Sequence, residues 1–175
     1  MIESKRVRVV LLVSVGILMM LGIFSVDSTA QKRRQPIKHL SVCGNPNISC
    51  PSAATFQPYD LPFRMPQSAV IYDTELFYAI ILKSVPTTND NCDNYVAEPD
   101  RLAAQALFPN LKVFASRCAE PGNLSYSNTN PKTNFMAVYA GTTLAEANRV
   151  LATVLALRKF PGANIRRMRA VMNGT

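Results

Sequence analysis

The sequence contains no tryptophan and only one histidine, and these shortages argue against two common kinds of site. Indole rings often form the platforms on which proteins stack sugars, so such a platform is less expected here. The single histidine, His39, lies in a basic segment, and no two cysteines are spaced as Cys-x2-Cys, so we expect no zinc site. No pair of carboxylates falls in a recognisable motif either. We therefore expect a protein that is not an enzyme and needs no metal or cofactor.

Acidic residues are also scarce. Eleven Asp and Glu residues stand against nineteen Lys and Arg residues, and the formal net charge is +8. A basic protein tends to meet anionic surfaces such as lipid head groups, wall polymers or acidic glycans. Solubility alone is the alternative explanation of the same charge.

The first thirty residues have the composition of an export signal. Basic residues come first, residues 9–24 form an uncharged and almost wholly apolar run, and small residues follow at 28–30. This order predicts a signal peptide over residues 1–30 and an exported protein, periplasmic or extracellular. An uncleaved anchor, with residues 9–26 tethering the protein to a membrane, is the alternative.

Residues 31–68 are predicted to form a basic arm followed by a Pro-rich extended segment. Six prolines in this stretch argue against a regular helix or a central strand. Phe56, Tyr59 and Phe63 make it too apolar for a plain linker, so we expect their rings to lie at the edge of the core. A strap that docks onto a partner protein is the alternative. The globular domain is then predicted over residues 69–175.

The second half of the chain contains the same pattern twice: an apolar strand, an Ala-rich helix, Phe-Pro and a short strand. The first copy has its three elements at residues 77–82, 100–107 and 112–115, and the second at 135–139, 144–158 and 165–168. Two such units in tandem predict an α+β, ferredoxin-like βαββαβ fold, with a four-stranded sheet and both helices on one face. Residues 120–133 are predicted to form a long hairpin loop, and residues 73–75 a turn.

The two helices carry recognisable start signals. Pro99 and its acidic neighbours suit the first turn of the first helix, whose inner stripe is predicted to include Leu102 and Leu107. Thr143 and Glu146 match a capping box at the start of the second helix.

All four cysteines follow the predicted signal peptide, and an even number suits disulfides in an oxidising compartment. Cys43 and Cys50 close a short loop of turn-forming residues, so we pair them with each other. Cys92 follows the first strand and Cys118 ends the strand after the first helix. These two ends lie at the same side of a βαβ unit if its strands are parallel neighbours, so we pair Cys92 with Cys118.

Residues 135–151 resemble the second half of a SPOR (sporulation-related repeat) domain. Gly141 matches the glycine that ends a strand in that family, and Glu146 and Ala147 match the Glu-Ala dipeptide that opens its second helix. In outline the resemblance extends over residues 77–170. SPOR domains are exported or periplasmic modules that bind peptidoglycan glycan strands lacking stem peptides. The resemblance therefore implies a wall-binding role.

In such a fold the helices cover one sheet face and the other face is free to bind a ligand. If Gly141 aligns with the glycine of that family, strand alternation directs Tyr139 to the free face, where its ring would stack on a sugar. Arg167 and Arg169 share one side of the last strand and suit carboxylates or phosphates. Lys83 and Ser84, at the end of the first strand, complete the predicted ligand-binding set. An ordinary structural role is the alternative for each of the five.

The resulting hypothesis is a non-catalytic, exported module that binds peptidoglycan glycan strands. The alternative is a structural or assembly protein of the cell envelope, which would contact another envelope protein through the domain and its Pro-rich strap. Nucleic acid is not an expected partner, because the aromatic pattern of the RNA-recognition motifs, which share this element order, is absent.

Overall fold

A computed structural model describes residues 41–51, 56–65, 71–87, 94–117 and 124–173. The predicted signal peptide and basic arm lie outside these ranges, as do Cys92 and Cys118, so the second disulfide stays a prediction. Within the described ranges, no helix is long and apolar enough to cross a membrane.

The described residues form an α+β fold with two helices and two antiparallel sheets. The strands are β1 (Ile71–Asp73), β2 (Phe77–Pro86), β3 (Val113–Ala115), β4 (Leu124–Tyr126), β5 (Thr133–Tyr139), β6 (Asn164–Met168) and β7 (Ala170–Asn173). The helices are α1 (Glu98–Leu107), between β2 and β3, and α2 (Leu144–Ala156), between β5 and β6.

The larger sheet has four strands in the order β3-β5-β2-β6, all antiparallel, and every strand of the repeated pattern belongs to it. The long apolar β2 is central, because its residues are buried on both faces of the sheet. A bulge between Ile81 and Lys83 shifts its register against β5. Beyond Ile81, β2 has no pairing with β6, which begins opposite that residue.

Helix α2 starts at the predicted capping box. The Thr143 hydroxyl accepts a hydrogen bond from the Glu146 amide, and the Glu146 carboxylate accepts one from the Thr143 amide at 3.0 Å. Gly141 precedes the cap with φ +90°, a conformation that a side chain would strain. The cap therefore fixes where the chain turns from β5 into α2.

The predicted inner stripe of α1 is wrong at Leu102, which is 54% exposed. Arg101 and Ala104 occupy the inner face instead. The Arg101 guanidinium is buried with partners, since it donates to the Glu98 carboxylate and to the Val113 carbonyl at 3.0 Å. A buried arginine that is fully bonded can replace an apolar residue, and hydrophobic spacing alone does not reveal it.

A second, three-stranded sheet in the order β1-β7-β4 was not predicted. Its strands have three or four residues: β1 leads into the predicted turn at 73–75, β4 lies in the predicted loop at 120–133, and β7 follows the last predicted strand. Thr74 links this sheet to the chain before β2, because its amide donates to the Ala170 carbonyl and its hydroxyl accepts from the Ala170 amide. Strands this short carry too few residues for an alternation signal.

The Pro-rich strap, residues 56–65, packs its apolar side chains into the core as expected. Leu61 and Phe63 are fully buried, and the Phe56 ring meets Phe63 edge to face at 5.6 Å. Backbone hydrogen bonds join the strap to residues 41–43, and the predicted Cys43–Cys50 disulfide is confirmed beside them.

Together, the strap and the second sheet cover the sheet face opposite the helices. One buried cluster holds the helices against residues such as Ile80 and Val138, and another holds strap and second-sheet side chains against Phe77, Phe114 and Ala137. The expectation that the helix-free face is open to solvent is therefore wrong over most of its area.

Candidate binding site

Tyr139 is partly buried and packs against the core beneath this cover rather than lying on an open platform. Its ring lies 5.8 Å from that of Phe77 and also touches Gly44, where an added Cβ would lie 1.7 Å from Tyr139 Cδ1. Burial, reinforced by the Glu75 and Glu146 charges, raises the pKa of Tyr139 to about 12. The missing side chain at residue 44 thus makes room for the ring, and a role in ligand binding stays a prediction.

The two predicted arginines have different partners. Arg169 Nη1 lies 3.1 Å from Asp73 Oδ2 and ties β1 to the start of β7. The Arg167 guanidinium lies 5.8 Å from the centroid of the Tyr78 ring, whose side chain packs with the helix-side cluster. These contacts do not place Arg167, Arg169 and Tyr139 together on one binding surface.

Lys83 and Ser84 do lie together, at the end of β2 that has no β6 partner. Lys83 Nζ is 2.8 Å from Asp100 Oδ2 on α1, and both groups are about half exposed. Ser84 lines two grooves, one on each face of the sheet. Of the five predicted residues, Ser84 has the surroundings closest to those of a binding residue.

The first of these grooves, here called the asparagine groove, has a volume of about 310 Å³ and lies where the cover of the helix-free face ends. Its lining is Ile81, Ser84, Asn128, Thr129, Asn130, Thr133, Phe135, Asn164 and Arg166. Ile81 and Phe135 give it an apolar floor, and the remaining side chains are polar.

The β4–β5 loop builds one wall of the groove through its own side chains. Thr129 Oγ1 donates to the Tyr126 carbonyl at 2.9 Å, and Asn130 Oδ1 accepts from the Lys132 amide at 2.9 Å. Asn128 adopts φ +57° and donates through Nδ2 to the Arg167 carbonyl at 3.0 Å. Asparagine tolerates this left-handed backbone better than most residues. The loop is thereby held against β6.

Polar atoms remain for a ligand after these internal bonds are made. Among the described residues, Asn128 Oδ1, Asn164 Oδ1 and Asn130 Nδ2 have no hydrogen-bond partner, and Arg166 makes no ion pair. Amide oxygens accept from hydroxyls, amide NH2 groups donate, and a guanidinium pairs with a carboxylate. The groove therefore suits a neutral or acidic ligand rich in hydroxyl and amide groups.

The sequence pattern predicts no role for the asparagines of this groove. Asn128 and Asn130 stand in the predicted hairpin loop, and Asn164 precedes the last predicted strand. The available signal was the density of Asn between residues 123 and 134.

A second group of charges joins the strap to α1. The Arg117 guanidinium lies between two rings, 4.1 Å from the centroid of Tyr59 and 3.8 Å from that of Tyr95, and it also approaches the Glu98 carboxylate at 3.8 Å. A hydrogen bond from Arg101 lowers the pKa of Glu98, whereas burial raises the pKa of the strap residue Asp60. These groups serve the packing of the strap, and Arg117 also lines a groove of about 290 Å³ beside β4 and the β4–β5 loop.

The described ranges contain no group of three or more His, Cys, Asp or Glu side chains that would hold a metal ion. Comparison with known proteins adds no relative, because no family model, no curated protein and no solved structure matches the chain.

Proposed function

We propose that this protein is an exported, non-catalytic, SPOR-like module that binds peptidoglycan glycan strands in the cell envelope. The order of the larger sheet, connected as β2-α1-β3 and β5-α2-β6, supports a ferredoxin-like core for this module. The three short strands and the strap are additions to that core. Export to the periplasm or the cell exterior rests on the composition of residues 1–30, and the disulfide Cys43–Cys50 agrees with it.

The observation that carries the proposal is the asparagine groove. The glycan would bind at this uncovered end rather than at the covered centre of the sheet face, because Ser84, Asn128 and Asn164 offer hydroxyl and amide groups here. Sugar hydroxyls and acetamide groups are both donors and acceptors, as these side chains are. Arg166 adds the positive charge that a carboxylate on the glycan would meet.

Docking of a partner protein through the strap is less well supported. Phe63 is fully buried and Phe56 packs against it, so these rings already have partners within the domain. A partner that used them would first have to open the core.

The test is a pulldown of the oxidised protein with purified peptidoglycan sacculi, before and after an amidase removes the stem peptides. We expect binding to rise after the amidase treatment, because the glycan becomes accessible. Arg166→Ala and Asn164→Ala are each expected to reduce binding by about tenfold, as for the loss of one hydrogen bond to a charged or well-placed polar partner.

Arg149→Ala is the matched control. Arg149 is exposed on α2, and its substitution removes the same charge at a position away from the groove. Binding that falls equally in Arg149→Ala and Arg166→Ala would show non-specific attraction to an anionic wall. No binding to treated sacculi at low and moderate salt would refute the proposal.

A further inference from the structure

A second groove lies on the helix side of the larger sheet, and the proposed function does not use it. It has a volume of about 540 Å³, within the range of about 300–1,000 Å³ typical of small-molecule sites. Strands β2 and β5 form its floor, α1 forms one wall, and the α2–β6 turn forms the other. Its lining is Leu82, Lys83, Ser84, Asp100, Ala103, Ala104, Leu107, Met136, Lys159, Phe160 and Pro161.

The inside of this helix-side groove is apolar. Leu82 and Met136 are buried at its floor, and Ala103 and Ala104 face it from α1. Because alanine side chains are short, they leave a channel that a larger residue would fill. The unbranched Met136 can adjust to ligands of different shape.

The rim carries more positive than negative charge. Lys83 and Lys159 stand against one carboxylate, Asp100, which lies 2.8 Å from Lys83 Nζ. Lys159 makes no ion pair with any residue that the structure describes. A ligand with an anionic end would therefore find an unpaired ammonium group beside an apolar channel.

The groove offers a peptide backbone few partners. The backbone groups of α1 and of β5 are bonded within the helix and the sheet, which leaves the β2 edge beyond Ile81, where β6 does not pair, as backbone that a peptide strand could join. Ser84 is the one uncharged polar side chain in the lining. Away from that β2 edge, a bound peptide would bury amide groups without partners, which is costly, whereas a hydrocarbon chain has no such groups.

We infer that the helix-side groove binds a single-chain amphiphile, with the acyl chain between α1 and the α2–β6 turn and the anionic head group at Lys159 and Lys83. The head group is a carboxylate or a phosphate, as in a fatty acid or a lysophospholipid. This site is distinct from the asparagine groove, which lies on the opposite face of the sheet.

The test is isothermal titration calorimetry of the full chain with dodecanoate, dodecyl phosphate and dodecyltrimethylammonium, each below its micelle concentration. We expect one saturable site for the two anionic probes and clearly weaker binding of the cationic one. The tighter of the two anionic probes identifies the head group. Ala103→Leu should weaken anionic binding by at least about tenfold, because the added side chain fills the channel.

Lys159→Glu should weaken the two anionic probes by about fivefold and favour the cationic one. The matched controls are Ala106→Leu, at an exposed position of α1 outside the lining, and Arg149→Glu, a charge reversal on α2. All variants keep the apolar N-terminal segment, so any binding there is common to them. The inference is overturned if Ala103→Leu titrates like Ala106→Leu, or if the cationic probe binds as tightly as dodecyl phosphate to the unchanged protein.

Discussion

The two faces of the four-stranded sheet are covered in different ways. On one face, α1 and α2 pack against β2 and β5, and each helix directly follows one of those strands in the chain. On the other face, the cover comes from the strap before β2 and from three short strands spread over a hundred residues. Both faces are closely packed, so an antiparallel sheet does not need helices on a face to keep that face dry.

The two faces also differ in where a ligand has access. On the helix side, a groove remains between α1 and the α2–β6 turn. On the other face, the cover by the strap and the short strands ends before the sheet does. The asparagine groove lies at that end, beside Ile81 and Ser84, and the β4–β5 loop supplies its outer wall. A polar site can form there without exposing the centre of the core.

Phe63→Ala, in the strap, is expected to cause the largest loss of stability among the variants that test this comparison. Phe63 is fully buried, and a cavity of this size in a well-packed core costs about 3–5 kcal/mol of unfolding free energy. On the helix side, Val154→Ala removes two methyl groups from an equally buried site and should cost about 2 kcal/mol. Urea unfolding followed by circular dichroism measures both.

The control for Phe63→Ala is Ile48→Ala, an apolar truncation at a residue that is 60% exposed and should change stability by less than about 0.5 kcal/mol. If Phe63→Ala behaved like Ile48→Ala, the strap would not be part of the core. The comparison of the two faces would then fail.

The helix side could be predicted from the sequence because its signals are local. Thr143 and Glu146 are three residues apart, and the two copies of the strand–helix–strand pattern span 39 and 34 residues. Arg101 was missed, because its hydrogen bonds to Glu98 and to the Val113 carbonyl are visible only in three dimensions. Local spacing thus predicts elements, but not which polar residue is buried among them.

The cover of the other face depends on contacts between distant residues. Gly44 and Tyr139 are nearly a hundred positions apart in the sequence. The residues that flank them give no sign that Gly44 makes room for the Tyr139 ring. The asparagine groove likewise needs the β4–β5 loop to lie against β6. Only the aromatic content of the strap indicated that the segment before residue 69 packs on the domain.

A smaller effect is expected from removing the Cys43–Cys50 disulfide with the double variant Cys43→Ala/Cys50→Ala. The two cysteines are seven positions apart, and closing a loop this short stabilises by about 2–3 kcal/mol in the chain-entropy account. The loop also holds Gly44 against Tyr139, so loosening it should bring the raised pKa of Tyr139 closer to its ordinary value. Urea unfolding and a spectroscopic titration of tyrosine measure the two effects.

The titration separates a local effect from a general one. Ile48→Ala lies in the same loop and keeps the disulfide, so it should leave both the stability and the tyrosine titration unchanged. A double variant as stable as the unchanged protein would mean that the strap packs equally well without this link.

The smallest effects concern acid, and here the two covers should respond in opposite directions. The folded-state pKa of Glu98 on α1 is lowered, chiefly by its hydrogen bond from Arg101. The contribution of Glu98 to stability is therefore fully present above its unfolded-state pKa and is lost as the pH falls through its folded-state pKa. The folded-state pKa of Asp60 in the strap is raised, chiefly by burial, although the Gln57 amide, Lys112 and Arg117 oppose it. Its burial cost is therefore relieved as the pH falls below that raised value.

Glu98→Gln should lose less stability than the unchanged protein between pH 6 and pH 3, which spans the ordinary carboxyl pKa values of about 4. Asp60→Asn should lose more, because it lacks the relief that protonation gives, while its side-chain oxygen can still accept from the Gln57 amide. Each difference is under about 1 kcal/mol, since both carboxyls are partly exposed and screened. Urea midpoints at half-unit pH steps measure it. If the stability-against-pH curves of both variants shift in the same direction, the strap and α1 respond to acid in the same way. The charged Asp60 carboxyl would then not destabilise the fold.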